Sequence, residues 1–304
     1  MNKILITGAT GFVGKNLIPR LYDSHLKTSL VSLLNLDNNN AAAMYNKYAE
    51  IINIDLSDKN YKKKIKDFNP DIVLHMASYL TSKDDEESIK KLIDANIEFG
   101  TNVLDSLTGT NVRYFINIGT FAEYLYNDGN LTSAYLYAAM KTAFRFIIDY
   151  YSRKLGFSFI NIIPYTIYGG HDTQKKVIDY IISSLDAKEA VGMSGGEQIL
   201  DFIHVFDVAD FLIELLLNIN KIKEHKIEFY VGTGKGTTIR ELAEIIEKIF
   251  NKTVNIKWGA LKYRPMDVMQ AIAHTATAKE KLNWKAKISL EEGIQLLKKE
   301  RYSE

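Results

Sequence analysis

Tyr137 and Lys141 stand four residues apart in the run Tyr-Ala-Ala-Met-Lys, so on a helix a phenol and an ammonium share one face. A phenol with an ordinary pKa near ~10 is a poor acid–base group at neutral pH, and a neighbouring positive charge eases its ionisation. The pair is therefore suited to exchanging a proton with a substrate oxygen. The same spacing occurs on many amphipathic helices, and Thr120 is what gives it weight. Thr120 follows the strand-like run Phe115-Ile-Asn-Ile-Gly119, which brings its hydroxyl to a sheet edge beside that helix. Three groups then converge: Thr120 donates to a substrate oxygen, Tyr137 gives or takes its proton, and Lys141 tunes the tyrosine.

Such a trio needs a redox partner, and the N-terminal region offers a place for one. Gly8, Gly11 and Gly14 follow the apolar run Ile4-Leu-Ile6 and open a helical pattern through Leu17, Ile18 and Leu21. In that context backbone N–H groups and the helix dipole receive a pyrophosphate, and glycine lets it approach closely. The spacing is GxxGxxG, a variant of the GxGxxG dinucleotide fingerprint. A nicotinamide dinucleotide held there supplies a hydride, and Lys141 is placed to hold its ribose. The choice between NAD and NADP falls to the end of the second strand, about 20 residues on, where an acid suits the ribose of NAD. Ungapped counting puts Ser32 at that position. Serine tolerates a 2′-phosphate, which favours NADP(H), while Asp37 a little farther on leaves NAD(H) open.

These groups require an ordered scaffold. Strands are expected at 29–34, 51–54, 72–75, 113–118 and 159–163, with helices at 88–107 and 137–155. The alternation calls for an α/β fold with a doubly wound parallel sheet, and apolar runs such as 4–6 fit strands covered on both faces. After Tyr165 the rhythm weakens. Helices at 177–185 and 239–250, with short strands at 202–205 and 229–231, suggest a smaller lobe that completes a cleft. Lys62-Lys63-Lys64 and Lys298-Lys299 are read as solvated helix faces.

Composition narrows the field. The 304 residues are 46% hydrophobic and 25% charged, enough for a large core. Lys and Arg total 38 against 37 Asp and Glu, a net charge of +1, so bulk positive charge recruits neither nucleic acid nor acidic membranes. There are no cysteines, and the six histidines form no i,i+4 pair, so no structural metal is expected. The first residues run into a strand pattern and no apolar stretch reaches bilayer length, which leads us to expect a cytoplasmic protein.

The motifs occur in a telling order: Thr7-Gly8-Ala9-Thr10-Gly11-Phe12-Val13-Gly14, Asp55-Leu56, His75-Met76-Ala77-Ser78, Asn96, Thr120, Tyr137 with Lys141, Pro164-Tyr165 through Gly169, and Asp201-Phe202-Ile203-His204. Along nearly its whole length the chain resembles the extended short-chain dehydrogenase/reductase family, in its nucleotide-sugar epimerase/dehydratase group. The resemblance implies a Rossmann domain over residues 1–165, its sheet completed by later segments, and a smaller α/β substrate-binding lobe over 166–304. It implies that Gly8, Thr10, Gly11, Phe12, Val13 and Gly14 hold the dinucleotide, with Asp55 and Leu56 at the adenine, Ala77 lining the site, and Pro164 and Tyr165 near the nicotinamide. Asn96 would brace the central strands. Tyr137 and Lys141 take the family's acid–base roles, and Thr120 replaces a frequent serine.

Dehydratases of this family carry an acid pair directly after that Thr, where Phe121 and Ala122 stand here; Glu123 lies one place too far, and is read as a substrate-hydroxyl contact or a solvated loop acid. Gly196-Glu-Gln-Ile-Leu-Asp-Phe-Ile203 and Val231-Gly-Thr-Gly-Lys-Gly236 look most like the CDP-abequose-synthase type of 4-ketoreductase. In that match Arg264 of Arg-Pro-Met-Asp meets the nucleotide diphosphate, since its fork suits paired phosphate oxygens. Leu200, Ile163, Thr166 and Gly170 depart from the family's common residues, which bears on sugar pose and base. Trp258 and Trp284 are base-stacking candidates, with core packing as the plainer role. The leading expectation is NAD(P)H-dependent reduction of a nucleotide-linked 4-keto-6-deoxy (or 3,6-dideoxy) sugar. A 4-epimerase using tightly held NAD is the alternative, and a nonenzymatic dinucleotide sensor is a third. A homodimer through helices 88–107 and 138–151 is also implied.

Overall fold

The computed structural model describes residues 2–24, 26, 30–35, 50–53, 60–170 and 174–302. The chain runs β1 (Lys3–Thr7), α1 (Phe12–Asp23), β2 (Leu30–Asn35), β3 (Glu50–Asn53), α2 (Tyr61–Phe68), β4 (Ile72–His75), α3 (Glu86–Ile93), α4 (Phe99–Ser106), β5 (Tyr114–Ile118), α5 (Leu136–Leu155), β6 (Ser158–Pro164) and β7 (Thr166–Tyr168). It continues through α6 (Val177–Ser184), β8 (Val191–Gly192), β9 (Ile199–Leu200), β10 (Phe202–His204), α7 (Val205–Leu217), β11 (Lys226–Val231), β12 (Thr237–Thr238), α8 (Ile239–Phe250), β13 (Ile256–Lys257), β14 (Gln270–Ala271), α9 (Ala276–Leu282) and α10 (Leu290–Tyr302).

Seven strands form one parallel sheet in the order β11-β6-β5-β4-β1-β2-β3. This is a doubly wound arrangement that reverses direction between β1 and β4, the place where such sheets open a crevice at their carboxyl edge. The alternation within β1 explains its unbroken apolar sequence. Ile4 and Ile6 face Leu17 and Ile18 of α1 and Phe211 and Leu212 of α7, whereas Leu5 faces Ile65 of α2, Val103 of α4 and Phe144 of α5. Each such fully buried side chain contributes roughly 1.5–3 kcal/mol.

Three differences from the sequence reading have physical causes. The run at 229–231 belongs to β11, which pairs with β6 along Lys226–Val231 as an edge of the large sheet, and so is not part of the smaller lobe. Its buried residues alternate with exposed or half-buried ones, so the apolar signal is broken. Helix α7 was hidden because Val-Phe-Asp-Val-Ala-Asp-Phe-Leu-Ile-Glu-Leu-Leu-Leu is apolar on most sides, which mutes the helical period. The helix expected at 88–107 is interrupted by a π-turn at Asp94–Glu98 that links α3 to α4. There the Asn96 amide donates to the Tyr79 carbonyl at 3.0 Å and accepts the Tyr79 N–H at 3.1 Å. Asn96 thus clamps the loop after β4, a correction to the expectation that it braces the strands themselves.

The second core gathers Ile178, Ile181 and Ile182 of α6, Leu242 and Ile246 of α8, and Ile294 and Leu297 of α10. Small pairings surround it: β7 with β10, the three strands β12-β9-β14, and β8 with β13. Thr238 caps α8 by accepting the Glu241 N–H at 3.0 Å, while the Glu241 carboxylate accepts the Thr238 N–H at 2.7 Å. The buried Asp201 carboxylate ties this region to the large sheet, accepting N–H groups from Thr233, Gly234 and Ala273. No helix among the described residues is long and apolar enough to cross a membrane.

Candidate active site

The turn between β1 and α1 lies at the strand-order reversal. Gly8 has φ +72°, and a Cβ there would come within 2.5 Å of the Ala77 nitrogen on β4's side of the crevice. A Cβ on Gly14 would lie 2.3 Å from the Ala9 carbonyl oxygen. Gly11 is the N-cap of α1, no side chain caps that end, and its first turn holds no acid. The cradle therefore presents backbone donors and the positive end of a helix to an anion, and the residues present fit a dinucleotide pyrophosphate. Thr7 stiffens its floor: the hydroxyl accepts the Ala77 N–H at 3.1 Å and lies 3.0 Å from His75 Nδ1.

A cavity of about 560 Å³ extends from this cradle along the carboxyl edge. Gly8, Thr10, Gly11, Phe12, Val13 and Gly14 line one end, with Ala77; Thr120, Tyr137, Pro164 and Tyr165 line the other. Eleven residues drawn from motifs spread over 158 positions thus meet in one space. Ser78, Tyr135 and Lys176 line it too and escaped the sequence reading. Ser78 was visible only as the end of the His-Met-Ala-Ser run, and Tyr135 only as the neighbour of Tyr137.

Lys141 is buried behind this lining, with its ammonium donating to the Ile118 carbonyl at 2.9 Å and lying 5.9 Å from the Tyr137 ring centroid. Burial brings its pKa down to about 8, against the opposing pull of the Glu123 charge. Burial pushes the Tyr137 phenol well above its ordinary value, helped by Tyr135, while a hydrogen bond from Ser78 works the other way. Tyr135 stacks on Tyr137 with centroids 6.0 Å apart. In the protein alone, desolvation is the largest influence on the Tyr137 phenol.

Other sequence candidates fall elsewhere. Glu123 is fully buried, and its carboxylate accepts the Thr120 N–H, the Thr142 hydroxyl and Arg145. It is neither a solvated loop acid nor part of the cavity lining, because protein donors occupy both oxygens. Ser32 pairs with Leu5 in mid-strand, three residues before β2 ends at Asn35, and so does not lie at the strand end where ungapped counting put it. Asp37, Asp55 and Leu56 lie outside the described residues. Arg264 is exposed, and its charge acts on the Tyr135 phenol against the effect of burial. Trp284 is a core residue whose indole N–H donates to Asp210 at 3.2 Å, and Trp258 packs against the second core with Arg240 over its ring.

A doubly wound sheet with an open glycine cradle, and a phenol–ammonium helix beside the strand-end hydroxyl, defines the short-chain dehydrogenase/reductase class in its extended form. The chain belongs to the NAD dependent epimerase/dehydratase family, whose model matches residues 4–232. It is 26% identical to a CDP-abequose synthase of Salmonella typhimurium over 97% of both chains. It is 23% identical to a UDP-glucose 4-epimerase of Pisum sativum over 95% of this chain and 93% of that one. Among solved structures, the UDP-N-acetylglucosamine 4-epimerase of Methanobrevibacter ruminantium in complex with UDP-N-acetylmuramic acid superposes with a TM-score of 0.81 at 22% identity, covering 97% and 96% of the two chains.

Proposed function

We propose that this protein uses NAD(P)H to reduce the 4-keto group of a nucleotide-linked 6-deoxy or 3,6-dideoxy sugar. The observation that carries this reading is the convergence of Thr120 and Tyr137 on the cavity that the glycine cradle opens into, with the Lys141 ammonium anchored behind them on the Ile118 carbonyl. When bound, the reduced nicotinamide supplies the hydride that reaches C4. Tyr137 gives its proton to the oxygen that becomes a hydroxyl, Thr120 orients that oxygen, and Lys141 keeps positive charge behind the developing phenolate. Likeness over nearly the whole chain to an abequose synthase supports a reductase. A dehydratase is disfavoured, because Phe121, stacked on Tyr165, and the buried Ala122 offer no acid or base beside Thr120.

Gly8, Thr10, Gly11, Phe12, Val13, Gly14, Ala77, Pro164 and Tyr165 are the dinucleotide contacts in this reading, and Arg264 meets the substrate's diphosphate. Both NADPH and NADH are admissible cofactors in this reading. The second reading, 4-epimerisation with retained NAD, draws on the epimerase relative of Pisum sativum. We also propose a homodimer, in which the exposed Ile89 and Ile93 of α3 and Phe146 and Tyr150 of α5 cover one another across a twofold axis.

The test mixes purified protein with nucleotide-linked 4-keto-6-deoxy sugars and either reduced cofactor. Loss of reduced-nicotinamide absorbance in step with formation of a 4-hydroxyl product supports reduction. Interconversion of UDP-sugar C4 epimers by protein that needs no added cofactor would replace it with the second reading.

A further inference from the structure

The Glu123 carboxylate sits under the end of β5, in the short turn Phe121–Glu123. Its Oε1 accepts the Thr120 N–H at 2.9 Å, and a Cβ on Gly119 would come within 2.7 Å of that oxygen, so the space is open only because residue 119 is glycine. Its Oε2 accepts the Thr142 hydroxyl at 3.1 Å and Arg145 Nη1 at 3.2 Å. Arg145 also donates to the Tyr124 hydroxyl at 2.9 Å and pairs through Nη2 with Glu228. The guanidinium thus has a counter-charge without Glu123. Desolvating a second carboxylate is costly, and apolar groups of similar volume commonly serve stability as well or better. What Glu123 also touches is the end of β5, at Gly119 and Thr120, next to the Ile118 carbonyl that holds the Lys141 ammonium.

We infer that Glu123 is a positioning residue of the catalytic centre: its carboxylate, held between the Thr120 N–H and Arg145, fixes the end of β5, where the Ile118 carbonyl binds the Lys141 ammonium. This inference rests on the proposed role of Thr120, Tyr137 and Lys141. The groups facing Lys141 from neighbouring elements are Glu123 from the turn and His75 from β4, with Tyr137 and Arg145 on its own helix. His75 is neutral at working pH, since burial and Lys141 hold its pKa down to about 3. Glu123 is therefore the anion that opposes the desolvation of Lys141.

The experiment follows the Lys141 amine by NMR in ligand-free, lysine-labelled protein, assigned with Lys141→Arg, in the native chain and in Glu123→Gln. The variant keeps an acceptor for the Thr120 N–H and removes the charge. The expected result is a Lys141 titration displaced to lower pH, a high-pH limb of kcat displaced with it, and a fall in kcat at pH 8 of about tenfold with little change in KM. Glu123→Val, which fills the space with an apolar side chain and leaves Arg145 paired with Glu228, guards against a folding failure of the first variant; it too should lower the Lys141 titration. An unmoved Lys141 titration in whichever variant folds would overturn the inference and leave Glu123 a packing contact. Because the titration needs no substrate, a displaced Lys141 in a protein that reduces no keto sugar would sink the proposed function alone.

Discussion

The Lys141 ammonium donates to the Ile118 carbonyl at 2.9 Å, so the side chain offered for catalysis also pins α5 to the last residue of β5. Its pKa of about 8, below the ordinary 10.5, sets a pH signature. Activity that depends on the ammonium is full below pH 8 and declines above it. Stability moves the other way, because between about 8 and 10.5 the unfolded chain binds a proton that the folded chain does not, and folding gains as pH rises through that window. Lys141→Met should lower kcat by about 10²-fold or more and abolish the alkaline limb. Rate profiles from pH 6 to 10, with melting temperatures at the same pH values, check both signs, and an alkaline limb that persists in the variant would exclude Lys141 as its source.

Tyr137→Phe keeps the stacked ring and removes the proton. Turnover should drop by about 10²–10⁴-fold while dinucleotide binding stays within a few-fold, since the cradle is built from β1, α1 and Ala77. Fluorescence titration with reduced cofactor, beside the rate assay, separates the two. Full activity in the variant would refute the proton-donor role, and a chain that binds dinucleotide yet turns over nothing in either form would favour a sensor.

Local signals made much of this site legible. Ile4-Leu5-Ile6 before three glycines, and Tyr137 one turn ahead of Lys141, are short-range patterns whose meaning survives any fold that places them. Ser32 failed because counting assumed a loop length, and loop length leaves no mark in residue type. Glu123 failed because a carboxylate in a turn reads as solvated until Arg145, 22 positions later on the next helix, is known to cover it. Strand β11 was legible as a strand, and later segments were expected to complete the sheet, but its assignment to the smaller lobe was not right: its partner β6 lies more than sixty residues earlier, and only the assembled sheet shows where it pairs.

His75 provides an acid-side prediction. It is enclosed by Phe99, Phe115 and Phe144, with ring centroids 5.3 to 5.9 Å away, and its Nδ1 lies 3.0 Å from the Thr7 hydroxyl. Its pKa is held at about 3 by burial and then by Lys141, so the folded chain carries it neutral. Between pH 6.5 and 3 the unfolded chain takes up the proton first, and stability falls on acidification with a slope approaching ~1.4 kcal/mol per pH unit from this group. His204, held at about 4 by burial and Arg20, adds in the same direction. His75→Leu should flatten the slope measured by urea unfolding between pH 7 and 5, and an unaltered slope would place the acid sensitivity elsewhere.

Phe146 is 68% exposed on α5, unusual for a large apolar side chain, and Tyr150 follows one turn later. If that face is a twofold contact, Phe146→Glu places like charges opposite each other and should give monomers at micromolar concentration in sedimentation velocity. The monomer should keep its fold, because the residue packs on nothing in its own core. A native chain that sediments as a monomer would remove the dimer from the proposal.

Gly8 combines a left-handed backbone with a contact that leaves no room for a side chain. At φ +72° an L-residue is strained, and its Cβ would meet the main chain of Met76 and Ala77, atoms that cannot swing aside. The Thr7 hydroxyl already holds the Ala77 N–H, so displacing Ala77 also disturbs the floor of the cradle. Gly8→Ala should therefore cost about 2 kcal/mol of folding stability and weaken dinucleotide binding together. By contrast Gly129, also at positive φ but with open space around its Cβ, bears only the backbone strain and should leave binding intact when changed to Ala. Denaturant unfolding and cofactor titration of the two variants side by side make the comparison, and equal losses of binding at both sites would show that the crevice contact at Gly8 is not what shapes the cradle.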